Sequence, residues 1–195
     1  MHAVPQAFSL ALPAWLIEHL AANPPGGATP DARMAGVIEL ARLNVAAGTG
    51  GPFGAAVFER DSHRLVAVGV NMVAPSGISL AHAEMVALSL AQRALGTYDL
   101  GSAGLPEHEL VTSTEPCAMC LGAIPWSGVR HVVCGARHED ACAIGMDEGD
   151  KPADWKATLA SRGIRVECDV LRSEAAAVLR EYRDAGGVVY NARRG

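Results

Sequence analysis

His82-Ala83-Glu84 and Pro116-Cys117-Ala118-Met119-Cys120 are the two stretches whose reading decides this chain. One imidazole and two thiolates fill three corners of a zinc tetrahedron and leave the fourth for a water; an open corner separates catalytic zinc from closed structural zinc. A carboxylate two residues beyond the histidine can move protons without binding the metal. The candidate ligands are therefore His82, Cys117 and Cys120, the candidate cofactor is Zn2+, and Glu84 is the candidate proton carrier. Each half is weak alone. A His-x-Glu triplet also arises where a histidine starts an amphipathic helix, and Cys-x-x-Cys also serves redox pairs and closed zinc sites. Here Pro116 precedes the pair without a thioredoxin-like β-α-β context, and no second Cys-x-x-Cys offers a fourth ligand. Cys134, Cys142 and Cys168 are scattered and read as buried free thiols.

The flanking sequence strengthens both halves. Apolar residues at Met85, Leu88, Leu90 and Leu95, with no Pro or Gly until Gly96, predict a helix over 81–95 with His82 in its first turn. A second helix is expected from Cys117 to about Trp126, where a spacing of three puts both sulfurs on one face. Helix N-termini favour thiolate over thiol. A strand over 110–113 runs straight into the cysteine turn, the order in which α/β sheets build sites at strand ends.

Working outward, a short helix is expected over 13–22, a Pro- and Gly-rich linker over 23–30, and a helix over 31–47 with one buried stripe (Met34, Val37, Ile38, Ala41, Val45). Strands over 55–59 and 65–70 form a hairpin around the polar turn 60–64. Beyond the cysteine helix come a strand over 129–135, a short helix over 155–160, a strand over 164–171 and a last helix over 173–184, ending at Gly186-Gly187. Strands alternating with helices predict an α/β fold with a mixed sheet covered on both faces.

A chain of 195 residues, half of them hydrophobic, suffices for one well-buried domain. A net charge of −5, with Lys151 and Lys156 the only lysines, gives no basic footprint for nucleic acid. Arg180, Arg183, Arg193 and Arg194 neighbour Glu181 and Asp184 and read as a solvated helix face. Five cysteines, two of them spent on metal, argue against a disulfide framework and for a reducing compartment. The N-terminal apolar run is interrupted by Pro5, Pro13, Glu18 and His19, so neither a signal peptide nor a membrane span is expected, and the expected location is the cytoplasm.

With Gly50-Gly51-Pro52-Phe53-Gly54-Ala55, Asn71, Ala81-His82-Ala83-Glu84 and the run from Thr114 to Ala123, the chain resembles the cytidine deaminase superfamily, and within it the bacterial guanine deaminases. Trp126 and the segment 143–148 are weaker matches. The resemblance spans about residues 30 to 190. It implies a three-layer α/β/α sandwich with a five-stranded mixed sheet over 30–195, preceded by an extension over 1–29.

Function is implied in the same way: a zinc-dependent aminohydrolase, with guanine becoming xanthine and ammonia and with amino-triazines as related substrates. A nucleoside or cytosine-type deaminase is the runner-up. A transfer-RNA adenosine deaminase and a non-catalytic zinc module fit less well, the first for want of basic surface and the second because it has no use for Glu84. Asn71, at a strand end, reads either as a turn residue or as an amide suited to a purine edge; the resemblance favours substrate contact. Phe53 is either core or a ring stacked on the base. The backbone around Ala83 and Glu115 is expected close to the base, and Trp126 joins the pocket by resemblance alone. Glu148, with Asp147 as its reserve, sits in an acidic run that reads as an exposed loop; guanine deaminases carry an acidic residue there, which would meet the N1–H and amino donors of guanine and help protonate the leaving amine. The C-terminal tail, Tyr182 to Tyr190, either crosses to a partner over the Gly186-Gly187 hinge or folds back on its own domain. A homodimer is expected either way.

Overall fold

Thr29 and Pro30 start the first long helix: the Thr29 hydroxyl accepts the Ala32 N–H, and proline at N1 presets the helical φ. In the computed structural model, which describes residues 4–192, the order is α1 (Ala14–Ala22), α2 (Pro30–Ala46), β1 (Gly54–Glu59), β2 (Leu65–Val70), α3 (Val73–Ser76), α4 (Ala83–Leu95), β3 (His108–Thr114), α5 (Ala118–Ser127), β4 (His131–Ala136), α6 (His138–Cys142), α7 (Trp155–Ala160), β5 (Arg165–Glu167) and α8 (Arg172–Asp184).

The five strands form one sheet in the order β2-β1-β3-β4-β5. β1 pairs antiparallel with β2 (Gly54 opposite Val70) and with β3 (Ala55 opposite Thr112). β3, β4 and β5 run parallel, with Leu110 opposite Val132 and Val132 opposite Val166. Period-two alternation divides the strand side chains between two apolar layers. Ala56, Phe58, Val111 and Val133 meet Met34, Val37 and Ile38 of α2 and Val178 and Leu179 of α8. Ala55, Val57, Leu110 and Val132 meet Ala87 and Leu88 of α4, Ile124 of α5 and Leu159 of α7. This is the expected three-layer sandwich. Leu16 of α1 is fully buried in the first layer, so the N-terminal helix belongs to the same core.

Gly69 lets β2 and α4 touch: a Cβ there would collide with the Ala83 carbonyl and lie 2.6 Å from the Ala87 nitrogen. That close approach sets where the first turn of α4 stands.

The structure departs from the sequence reading in four places. His82 and Cys117 are the caps of α4 and α5, one residue before the helices rather than in their first turns. The strand expected over 164–171 stops at Glu167, because Asp169 and Leu171 take positive φ (66° and 51°) and turn the chain into α8. α3 and α6, each a single short turn, carry no sequence periodicity and were not expected. Of the three spare cysteines only Cys134 is buried. Cys168 is half-buried with its Sγ 3.2 Å from that of Cys134, and Cys142 is exposed on α6. Arg180 and Arg183 do lie on the solvent face of α8, opposite Ala175, Val178 and Leu179; Arg193 and Arg194 fall outside the described residues.

Candidate metal centre and substrate cavity

β3 ends at Thr114 and hands the chain through Glu115 and Pro116 to Cys117, so the parallel half of the sheet delivers α5 with its N-terminus at the strand ends. α4 arrives at the same place from β2. Neither cap side chain accepts a hydrogen bond from its own helix. They face each other instead: His82 Nδ1 lies 3.6 Å from Cys117 Sγ and 3.7 Å from Cys120 Sγ. Tetrahedral zinc, with bonds of about 2.0–2.1 Å to nitrogen and about 2.3 Å to sulfur, sets N and S roughly 3.6 Å apart. The three ligand atoms lie within 4.8 Å of one another, so the residues fit the ion.

Their acid–base state says the same. Cys117, hydrogen-bonded by Cys120 and His82, is held down to about 4. Cys120 is pushed far up, first by that neighbouring sulfur and then by burial. The pair by itself keeps one negative charge, and only a cation in the site makes both thiolates. At His82 burial opposes protonation, but Cys117 and Glu84 outweigh it and the pKa rises.

A cavity of about 370 Å3 opens over this centre, at the small end of the roughly 300–1,000 Å3 typical of ligand pockets. Glu84, in the first turn of α4, lines it and is buried. Burial first, and then the Cys117 charge, lift Glu84 to about 7. Glu148 also lines the cavity, only 8% exposed on a segment whose neighbours Asp147, Gly149 and Asp150 are open to solvent. Burial, Cys117 and Glu84 lift it to about 8. Its carbonyl accepts the Ala118 N–H, tying the acidic loop to the start of α5. Asp147 lines the cavity too, but its carboxylate accepts the Gly149 N–H in a local turn.

Phe53, Asn71 and Glu115 line the cavity as expected. The Glu115 carboxylate is engaged by buried Lys151 at 3.3 Å, while its N–H donates to the Ala136 carbonyl. Two of the expected contacts are not among the cavity-lining residues. Ala83 is fully buried, its carbonyl packed against Gly69, and is not among the cavity-lining residues. Trp126 is 85% exposed on α5 and lines nothing; nine residues beyond Cys117 is about two and a half turns, which carries it to the opposite face of the helix.

The sequence expects the tail carrying Tyr190 either to cross to a partner and help cover a site or to fold back on its own domain, and names no contact for Tyr190. In the structure its hydroxyl accepts a hydrogen bond from Asn71 Nδ2 at 2.8 Å, and its ring stands edge-on to His82 with centroids 6.4 Å apart. Asn191, which was not anticipated at all, accepts the Asp147 N–H and donates to the Gly145 carbonyl, both at 2.8 Å. The tail of this chain thus seals one side of the cavity and holds the Glu148 loop. The one advance signal was an aromatic residue beyond a Gly-Gly hinge.

Residues 29–136 match the family model described as the cytidine and deoxycytidylate deaminase zinc-binding region. The chain belongs to this family. Two solved structures are similar over nearly the whole of this chain. A guanine deaminase from Nitrosomonas europaea is 53% identical, with a TM-score of 0.87 over 94% of this chain and all of that one. The protein NE0047, solved in complex with 2,6-diaminopurine, is 55% identical, with a TM-score of 0.88 over 96% of this chain and 98% of that one. The guanine deaminase of Bacillus subtilis is 41% identical over 123 residues, 60% of this chain and 74% of the relative. Among the described residues no helix is long and apolar enough to cross a membrane.

Proposed function

We propose that the protein hydrolyses guanine to xanthine and ammonia. The observation that carries this reading is the buried Glu148, a second carboxyl in the cavity that Glu84 and the His82, Cys117 and Cys120 group also line. The zinc, when bound, supplies the Lewis acid that makes water a nucleophile near neutral pH. Glu84 takes the proton of the attacking water and returns it to a ring nitrogen as oxygen adds to C2. Glu148 meets the N1–H and 2-amino edge of the ring. The new C2 hydroxyl then gives up its proton, which a carboxyl carries to the amine, and the carbonyl forms as the C2–N bond breaks and ammonia leaves. Lifted to about 8 before metal binds, Glu148 can carry a proton in the physiological range, and a bound dication lowers both carboxyls.

Asn71 offers an amide to the purine edge and Phe53 a ring to its face. Tyr190 and Asn191 close the cavity, which supports a free base over a ribosylated one. Amino-triazines share the aminated amidine edge and are proposed as side substrates. The protein is further proposed to act as a cytoplasmic homodimer without nucleic-acid partners, in keeping with its acidic charge. Ammonia release from guanine, guanosine, adenine, adenosine, cytosine, cytidine and amino-triazines tests the substrate: guanine should lead the panel, and ammonia from cytosine or cytidine but not guanine would replace this reading with the runner-up.

A further inference from the structure

Asn44 of α2 is a fully buried amide that is not among the cavity-lining residues, yet it spends both of its N–H donors on the backbone segments that carry Phe53 and Asn71 into the cavity. Its Nδ2 donates to the Gly51 carbonyl at 2.9 Å and to the Asn71 carbonyl at 2.8 Å. The Asn71 N–H donates to the Phe53 carbonyl at 3.0 Å. Asn71 is thereby held through both of its backbone polar groups, with Phe53 in register beside it. Gly50 shows how tight the joint is: a Cβ there would collide with the Asn71 carbonyl and lie 2.8 Å from Asn44 Nδ2.

The amide is itself oriented from outside. The Thr49 hydroxyl donates to Asn44 Oδ1 at 2.8 Å and accepts from Trp15 Nε1, also at 2.8 Å. Trp15 lies on α1, anchored beside it by the fully buried Leu16. The hydroxyl also lies 3.3 Å from the Asn44 backbone carbonyl, but its shorter contact is with Oδ1, and the NH2 of Asn44 then faces Gly51 and Asn71. An amide turned by half a rotation would set its single oxygen against the two carbonyl oxygens of Gly51 and Asn71 and leave both without a donor.

We propose that Asn44 is a positioning residue for substrate recognition, aligned by a relay from Trp15 through Thr49 that gives the N-terminal helix a role in binding. The inference rests on the reading that Asn71 contacts the substrate. Loss of the relay loosens Asn71 and Phe53 in the free enzyme, so the substrate must order them in ground-state and transition-state complexes alike; binding weakens and the proton transfers at Glu84 stay intact.

Steady-state kinetics on guanine with the zinc-loaded enzyme test it, with zinc content and thermal unfolding measured alongside. Thr49→Val should raise KM about three- to tenfold with kcat within about twofold, as expected for one lost internal hydrogen bond. Thr49→Ser, which keeps the hydroxyl, should restore KM, and Trp15→Phe should raise it in the same direction. An unchanged KM in folded, zinc-replete Thr49→Val or Trp15→Phe would overturn the proposal, as would a fall in kcat at constant KM. Asn71→Ala separates the two claims: if it raises KM while Thr49→Val does not, the relay fails alone; if it too leaves KM unchanged, the underlying reading of Asn71 fails.

Discussion

Asn71 Nδ2 donates to the Tyr190 hydroxyl oxygen at 2.8 Å, joining the end of β2 to the C-terminal tail across 119 residues. Burial pushes the phenol up, so the hydroxyl stays protonated and keeps its own hydrogen for a second partner. The contact also fixes which way the Asn71 amide faces, because Oδ1 takes the Val73 N–H on the other side at 3.3 Å. Tyr190→Phe should therefore raise KM for guanine about two- to tenfold while leaving zinc content unchanged, the size of one modest hydrogen bond. Equal KM values for the two proteins would show that the tail only covers the cavity.

Glu84→Gln keeps shape and hydrogen-bonding capacity but cannot accept a proton. The variant should bind zinc in the normal amount and lose about 10²- to 10⁴-fold in kcat, the usual contribution of a positioned acid–base group. Metal analysis beside turnover checks it. Near-normal turnover would remove Glu84 from the reaction.

The raised Glu148 makes a pH prediction for chelator-treated protein. Its folded pKa of about 8 lies above the ordinary 4.5, so the folded state holds a proton that the unfolded chain has released. Stability from this group is fully present below about 4.5 and drains away as pH rises toward 8. Glu148→Gln cannot lose it. Metal-free wild type and variant should thus melt at similar temperatures near pH 4.5, with the variant increasingly the more stable toward pH 8. A constant difference across that range would place Glu148 in solvent.

Gly69 is the joint through which sheet geometry reaches the metal. Gly69→Ala drives a methyl into the Ala83 carbonyl, one residue beyond His82, at a cost of about 1–3 kcal/mol for overpacking a tight contact. The expected result is a lower melting temperature together with weaker zinc retention in a chelator competition. A destabilised protein that held zinc as firmly as wild type would uncouple β2 from the centre.

How much of this was legible in the sequence follows from how local each signal is. His82, Glu84, Cys117 and Cys120 could be read because short spacing at two helix starts fixes their geometry within one turn each. The alternation of strand and helix segments along the chain announced a sheet covered on both faces, as the two apolar layers are. Trp126 was misplaced because motif adjacency says nothing about helix phase. β5 is shorter than the expected 164–171 because apolar-polar alternation does not reveal the positive φ at Asp169 and Leu171. The contacts of Tyr190 and Asn191 and the Trp15–Thr49 and Asn44–Asn71 bonds join residues 27 to 119 positions apart, and no local pattern encodes them.

The central claim is that guanine is the base this centre deaminates. Zinc-loaded protein incubated with guanine, with products separated by chromatography and ammonia measured in parallel, tests it most directly. Xanthine and ammonia in equal amounts, abolished in Glu84→Gln, is the result the account predicts. Guanine left intact under conditions in which the same preparation releases ammonia from cytosine or cytidine would contradict it.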